Sequence, residues 1–334
     1  MAATTRRAAR STRLRATVLA LAATAALAVG APSHATAPVA APADGEGAPH
    51  RATSPFTGLA AAQGRVLAVK FDNARGARPH TGLDQADIVY VEKVEGGMSR
   101  LMGVFSGKLP TTVGPVRSAR ESDIELLRQF GRPALAYSGV RHSLQKVLKK
   151  SPLYARPHGS VPGAYFRNGY RTAPHNLFLR PAALLRTAPH ASRPADIGFR
   201  FGPAPAGGTR TDRRTVTYPS ASHSFRWSAR QGRWLASFDG SPARSTSGKR
   251  LGAKTIVIQH VTMRPSRYKD VNGAVTPYIE TVGSGKATVL RDGKAYATRW
   301  KRSSATGGTS FTLADGHRMP FAPGQVWMVY ADRR

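Results

Sequence analysis

Short apolar runs that stop abruptly at charged or turn residues dominate the chain. VLAVKF (66–71) ends at Asp72-Asn73, DIVYV (87–91) ends at Glu92 with Glu95-Gly96-Gly97 behind it, and RLMGVF (100–105) ends at a Ser-Gly turn. Runs of this length bounded by such residues predict buried strands that present polar side chains at their ends. Ser118-Ala119-Arg120-Glu121 reads as a capping box opening a helix to about residue 130, with Ile124, Leu127 and Phe130 on one face and Gly131 and Pro133 as the stop. A strand over 133–137 and a helix over 141–150, with Leu144, Val147 and Leu148 inward and three lysines near its end, follow. Residues 151–168, rich in Pro, Gly, His and Arg, read as a long surface loop, and 177–186 as a short helix.

Beyond about residue 210 the pattern changes to short alternating or apolar runs at 215–218, 224–227, 234–238, 255–261, 277–282, 287–291, 294–300, 310–313 and 326–330. Asp292-Gly293 is a two-residue hairpin turn, and Phe225, Trp227, Trp234 and Phe238 are candidate core aromatics. The expected class is α+β overall: an N-terminal α/β domain with a mixed sheet, followed by a mainly-β sandwich or barrel-like C-terminal domain. The expected divisions are a signal peptide over 1–35, an Ala/Pro-rich linker over 36–55, and domains over 56–200 and 210–332.

The leader is expected from five arginines ahead of an apolar run over 16–31 and a small-x-small site at Ser33-His34-Ala35. The run is short and alanine-rich, so no transmembrane span is expected in the mature chain, while Thr5-Arg6-Arg7 leaves Sec and twin-arginine export both open. Losing those five arginines lowers the formal charge from +32 to +27. An exported chain this basic is drawn to polyanions, which outside the cell means an anionic cell-wall polymer or peptidoglycan and not nucleic acid. Arginine-rich, Ala/Gly/Pro-rich composition offers a second origin for the charge, in genomic base bias. With no cysteine there are no disulfides, and the cores alone hold the fold.

The phrases FDNARGARPHTGL, QADIVYVEKVEGGMSR, GPVRSAR and APHN, with TVGSGKATVLRDGK, TRWKR and PGQVWMV further on, resemble in sequence and order the YerB-like family of bacterial envelope proteins. Founding members of that family are described as lipoproteins. The likeness spans about 66–330 and implies two domains of unknown function and an extracytoplasmic location, with no catalytic residues supplied. The absent cysteine departs from it, because the usual lipid attachment needs one.

Three clusters could carry chemistry. Asp72, Asp87, Glu92 and Glu95 lie mostly at strand ends, where α/β sheets bind ligands. Two of them at suitable separation would serve as acid and base on a glycan, or else they are turn caps and partners of the many arginines. With His80 or His175 they could reach a metal, but HxH, HExxH and DxD spacings are absent, so neither metal nor other cofactor is expected. Arg117, Ser118 and Arg120 at a helix start form a candidate phosphate or carboxylate site, joined by Arg78 and Arg100, or else a simple cap with charge-neutralising arginines. His175, aimed by Pro174, and Asn176 are a candidate base and ligand contact, or a loop hydrogen bond. Ser138-Gly139 lacks the GxSxG frame of an acyl-transfer serine.

The resulting expectation is a secreted, wall-associated protein of unassigned biochemical activity that binds an anionic or carbohydrate wall ligand. Asn73, Arg78, Arg100, Arg117, Ser118, Arg120 and Asn176 would make contact, and the basic C-terminal domain would help retain the protein on polymer. The alternative is a carboxylate-dependent hydrolase of wall glycan or peptide using Asp72, Glu92, Glu95 and His175. Either reading requires the acids and arginines over 72–120 to meet at one open hollow. Oligomeric state is not legible.

Overall fold

Residues 52–270 and 272–333 are described by a computed structural model. The expected leader and most of the expected linker lie outside these residues. Four apolar runs of the N-terminal half become strands β1 (Leu67–Asp72), β2 (Ile88–Lys93), β3 (Ser99–Phe105) and β4 (Ala134–Tyr137), and a fifth, β5 (Tyr154–Pro157), follows. They belong to an eleven-stranded mixed sheet. β3 pairs antiparallel with both β1 and β2, while β1, β4 and β5 run parallel. Helix α1 (Ser122–Leu127) lies between β3 and β4, and helix α2 (His142–Lys150) bridges the parallel step from β4 to β5, as a parallel connection requires.

The C-terminal half contributes to the same sheet. Val326–Asp332 inserts between β2 and Thr255–Val261 and is parallel to both. Gly283–Arg291, Lys294–Arg302 and Ser310–Thr312 continue the sheet outward. Asp292 and Gly293, both with positive φ, turn the hairpin between the first two, which is why that dipeptide sits there. The remaining strands, Arg213–Tyr218, Ala221–Ser228, Arg233–Phe238, Ser241–Pro242 and Gly252–Ala253, form a second, five-stranded sheet.

Alternation along β1 shows how the large sheet is covered. Leu67, Val69 and Phe71 face the small sheet, in one core with Phe225, Trp234, Phe238 and Trp327. The Phe225 and Phe238 rings lie 5.7 and 6.1 Å from the Trp327 ring. Ala68, Tyr90, Met102 and Val104 face the other way, onto Leu126, Leu127, Leu144 and Leu148 of α1 and α2. A strand covered on both faces reads as a near-continuous apolar run, as β1 does but for the buried Lys70 and the closing Asp72. Sheet-on-sheet packing is thus present. Both sheets are open at their edges, so the barrel-like alternative does not form among the described residues.

Several expected elements differ. Residues 151–168 are not one long loop: β5 pairs with β4, and Tyr165–Arg167 pairs with Leu177–Leu179. The four residues of β5 are all half-buried, so they carry no alternation to read. The helix expected over 177–186 splits into that strand and α3 (Pro181–Arg186), with Pro181 setting the helix start. Met263–Lys269, which pairs with Val275–Ile279, was not expected; its Pro265 and its arginines mask it. The capping box is displaced as well. Helix α1 begins at Ser122, and the Asp123 carboxylate accepts from the Arg120 backbone N–H at 2.7 Å. Ser118 caps nothing; its hydroxyl lies 3.4 Å from that of Ser138.

Candidate functional site

The register of the sheet sets the site. Arg100, second in β3, lies directly between Asp72 at the end of β1 and Glu92 near the end of β2. Two hollows open around it. One, about 390 Å³, is lined among others by Asp72, Asn73, Arg78, Arg100, Arg117 and His175. The other, about 280 Å³, is lined among others by Glu95, Arg100, Arg117, Ser118 and Arg120. Met98, Arg100 and Arg117 line both, so the hollows adjoin along a wall of two guanidiniums.

In the first hollow Asp72, Asn73 and Arg78 are each held by hydrogen bonds. Asp72 accepts from the Ala74 N–H at 3.1 Å, meets His175 Nδ1 at 2.8 Å and faces Arg117 Nε at 3.4 Å. Burial pushes the Asp72 carboxyl upward, but the His175 and Ala74 hydrogen bonds and the charges of Arg117 and Arg100 outweigh it and leave it below the usual range. Asn73 donates to Ser99 Oγ at 2.9 Å, and its two oxygens accept from Arg78, which also donates to Asp239 at 2.9 Å and stacks over Phe238. The His175 ring rests on Gly76, where a Cβ would lie 3.0 Å from its Cδ2, so a side chain there would push on the ring. His80 stands behind the hollow, with Nε2 at 2.7 Å from the Asp72 carbonyl oxygen; burial pulls it down to about 4, so it stays neutral.

In the second hollow Glu95 accepts from Arg120 at 2.5 Å and from the Thr276 hydroxyl. Burial raises its carboxyl, and Arg120 and Thr276 more than reverse that. Arg100 is different. It is 8% exposed, donates no hydrogen bond among the described residues, and comes no nearer to a carboxylate than 3.8 Å, to Glu95. Burial and the charges of Arg120 and Arg117, against Glu95 and Asp72, bring its guanidinium down to about 10. Arg117 Nε, although near Asp72, also lacks a hydrogen bond.

Other expected site residues lie elsewhere. Glu92 lines neither hollow: it is buried against Lys70, which also donates to Asp123 at 2.9 Å. Asp87 accepts from the Ser106 N–H and hydroxyl beside the far end of β3. Asn176 accepts from Arg167 at an exposed position outside both hollows. The helix start that was to offer free N–H groups belongs to a six-residue helix, and Asp123 already takes the Arg120 N–H. Arg141, Lys269 and Asp270 line the second hollow, and Asp239 and Ser220 the first, without having been singled out. Asp239 alone carried a local sign, the turn pair Asp239-Gly240, which marks a bend and not a site. Across both hollows seven Lys or Arg side chains face four carboxylates. Among the described residues no three His, Asp or Glu side chains come together as a metal site.

Fold and site define a mixed-sheet protein with a cationic cleft at the strand ends. The chain belongs to the family described as protein of unknown function DUF3048: the N-terminal domain model matches residues 56–194 and the C-terminal domain model residues 214–328. It is 26% identical over 274 residues to YerB of Bacillus subtilis (strain 168), named as a candidate lipoprotein, covering 79% of this chain and 80% of that protein. The crystal structure of Bacillus subtilis YerB has the same fold, with a TM-score of 0.71 at 24% identity over 84% of this chain and 96% of that one. Among the described residues no helix is long and apolar enough to cross a membrane.

Proposed function

We propose that this protein binds an anionic ligand of the cell envelope, a carboxylate- or phosphate-bearing wall fragment, sugar-linked or not, in the double hollow around Arg100 and Arg117. The observation that carries the reading is Arg100, a buried arginine on the wall common to both hollows whose guanidinium makes no hydrogen bond among the described residues. Leaving such a donor unmet costs about 1–3 kcal/mol, a cost that an anion would offset. The leader pattern over 1–35 and the kinship to a protein named as a candidate lipoprotein support action outside the cytoplasmic membrane. Titrating soluble muropeptides into wild type and Arg100→Met tests this by calorimetry. One charge-assisted contact of about 1.5–3 kcal/mol is worth about 10- to 150-fold in affinity. Equal binding by both proteins sinks the reading.

A hydrolase has one observation in its favour: Asp72 holds His175 through Nδ1, the arrangement that orients an imidazole to act as a base through Nε2. Against it, Asp72 and Glu95 both sit below the usual carboxyl range, so neither is a proton donor near neutral pH. Glu92, raised to about 7, lines neither hollow. Incubating purified wall with wild type, Glu95→Gln and His175→Gln decides between the classes. Fragments released by wild type and lost in His175→Gln favour the hydrolase; no release, with salt-sensitive sedimentation on wall, favours binding.

A further inference from the structure

A larger hollow, about 950 Å³, lies where the edge strand Arg213–Tyr218 of the small sheet meets the large one. Its rim carries Lys93, Arg214, Lys286, Arg299 and Arg333 against a single carboxylate, Asp332, which already pairs with Lys93 at 3.3 Å. Arg214, Lys286 and Arg299 are exposed and have no ion pair among the described residues. Lys286 and Arg299 are moreover directly opposite one another in adjacent antiparallel strands. Like charges at such a position destabilise a sheet, so this pair works against folding and calls for an anion between or above it.

We infer that this groove binds a linear phosphodiester polymer that carries no bases. The five cations come from five different strands or strand ends, so the groove offers a field along its length and not one point site. Nothing in it would stack a base: Tyr218 is the one aromatic ring of the lining other than His260, and it is buried with its hydroxyl donating to the Tyr330 carbonyl at 2.5 Å. An acidic peptide added to the edge strand would take its affinity from that strand's backbone. Here only Arg214 of the five cations belongs to that strand, so the surface selects charge spacing over backbone pairing.

The probe is a fluorescein-labelled glycerol phosphate oligomer, followed by anisotropy across a salt series. Each cation contributes about 0.7 to the slope of log K against log salt on a single-stranded polyanion, so Lys286→Thr/Arg299→Thr should lose about 1.4. Over the tenfold interval from about 0.1 to 1 M salt that equals about 25-fold in affinity at the low end. The double variant relieves a like-charge pair with a strand-favouring residue and should melt no lower than wild type, which separates lost binding from unfolding. Lys286→Thr/Arg299→Thr, whose two positions line neither hollow of the cleft, should still take soluble muropeptides as wild type does, so failure here and failure of the cleft reading are distinct results. An unchanged slope in the double variant overturns the site. Equal affinity for an oligonucleotide or a polyglutamate of the same charge overturns the assignment to a base-free phosphodiester.

Discussion

Replacing Lys70 by methionine probes how the end of β1 is held behind the cleft. Lys70 is wholly buried, and its ammonium is the one cation shared by Glu92 and Asp123, themselves 4% and 0% exposed at the side chain. Methionine fills nearly the same volume, so the perturbation is electrostatic. It leaves two carboxylates facing one another without a counter-charge, and removing one partner of a buried pair costs about 3–5 kcal/mol. That is a large part of the about 5–15 kcal/mol that holds a domain together. The loss depends on pH. Stranded carboxylates escape by taking up a proton, and each pH unit is worth about 1.4 kcal/mol per proton. Urea unfolding followed by tryptophan fluorescence should therefore show the full loss at about pH 8 and a loss smaller by at least about 1.4 kcal/mol at about pH 5. A loss under about 1 kcal/mol at the higher pH, or the same loss at both, would refute the reasoning.

Three further outcomes are expected. Glu92, raised to about 7 by burial and by Asp123 against the pull of Lys70, binds its proton more tightly folded than unfolded. Its contribution is complete below the ordinary carboxyl value and lost as pH rises through about 7, so Glu92→Gln should remove that decline and be no less stable than wild type at about pH 8. His80 and His223, lowered by burial to about 4 and about 3, have the opposite sign. Their stability is complete above the ordinary imidazole value and is lost as pH falls toward those values. Chemical denaturation between about pH 6.5 and 4 should show stability falling with acidity, more steeply in Glu92→Gln, where the opposing carboxyl is gone. Arg100→Met should melt at or above the wild-type temperature, because it removes a buried donor without a hydrogen bond while Glu95 keeps Arg120 and Thr276. A loss of more than about 2 kcal/mol would make Arg100 a structural residue.

Much of the local structure was legible in the letters. The strand Thr255–Val261 was readable to the residue, the Asp292-Gly293 turn is where its dipeptide put it, and α2 buries Leu144 and Leu148 as its periodicity demanded. Each follows from local chemistry: β-branched runs, a turn pair that tolerates positive φ, a helical apolar face. Of the site, Asp72 stood out as an acid closing an apolar run, and Arg117 and Arg120, joined by Arg78 and Arg100, as guanidiniums about an expected helix start.

Only the tertiary structure decided which of those charges look outward. Asp72 and Glu92 have the same local signature, an acid closing a buried strand, yet one lines the cleft and the other lies under α1 against Lys70. The difference is what covers each strand end, and that covering comes from residues far along the chain. The same holds for Val326–Asp332, whose apolar run announced a strand but not that it would slot beside β2 and make one sheet of both halves. It holds also for Lys269 and Asp270, brought to the cleft by a strand that its own residues scarcely encode. Apolar periodicity is a property of neighbours in sequence, and so it can be read. The partner of a strand and the burial of a charge are set by loop closure and packing between distant segments, which the order of letters does not display.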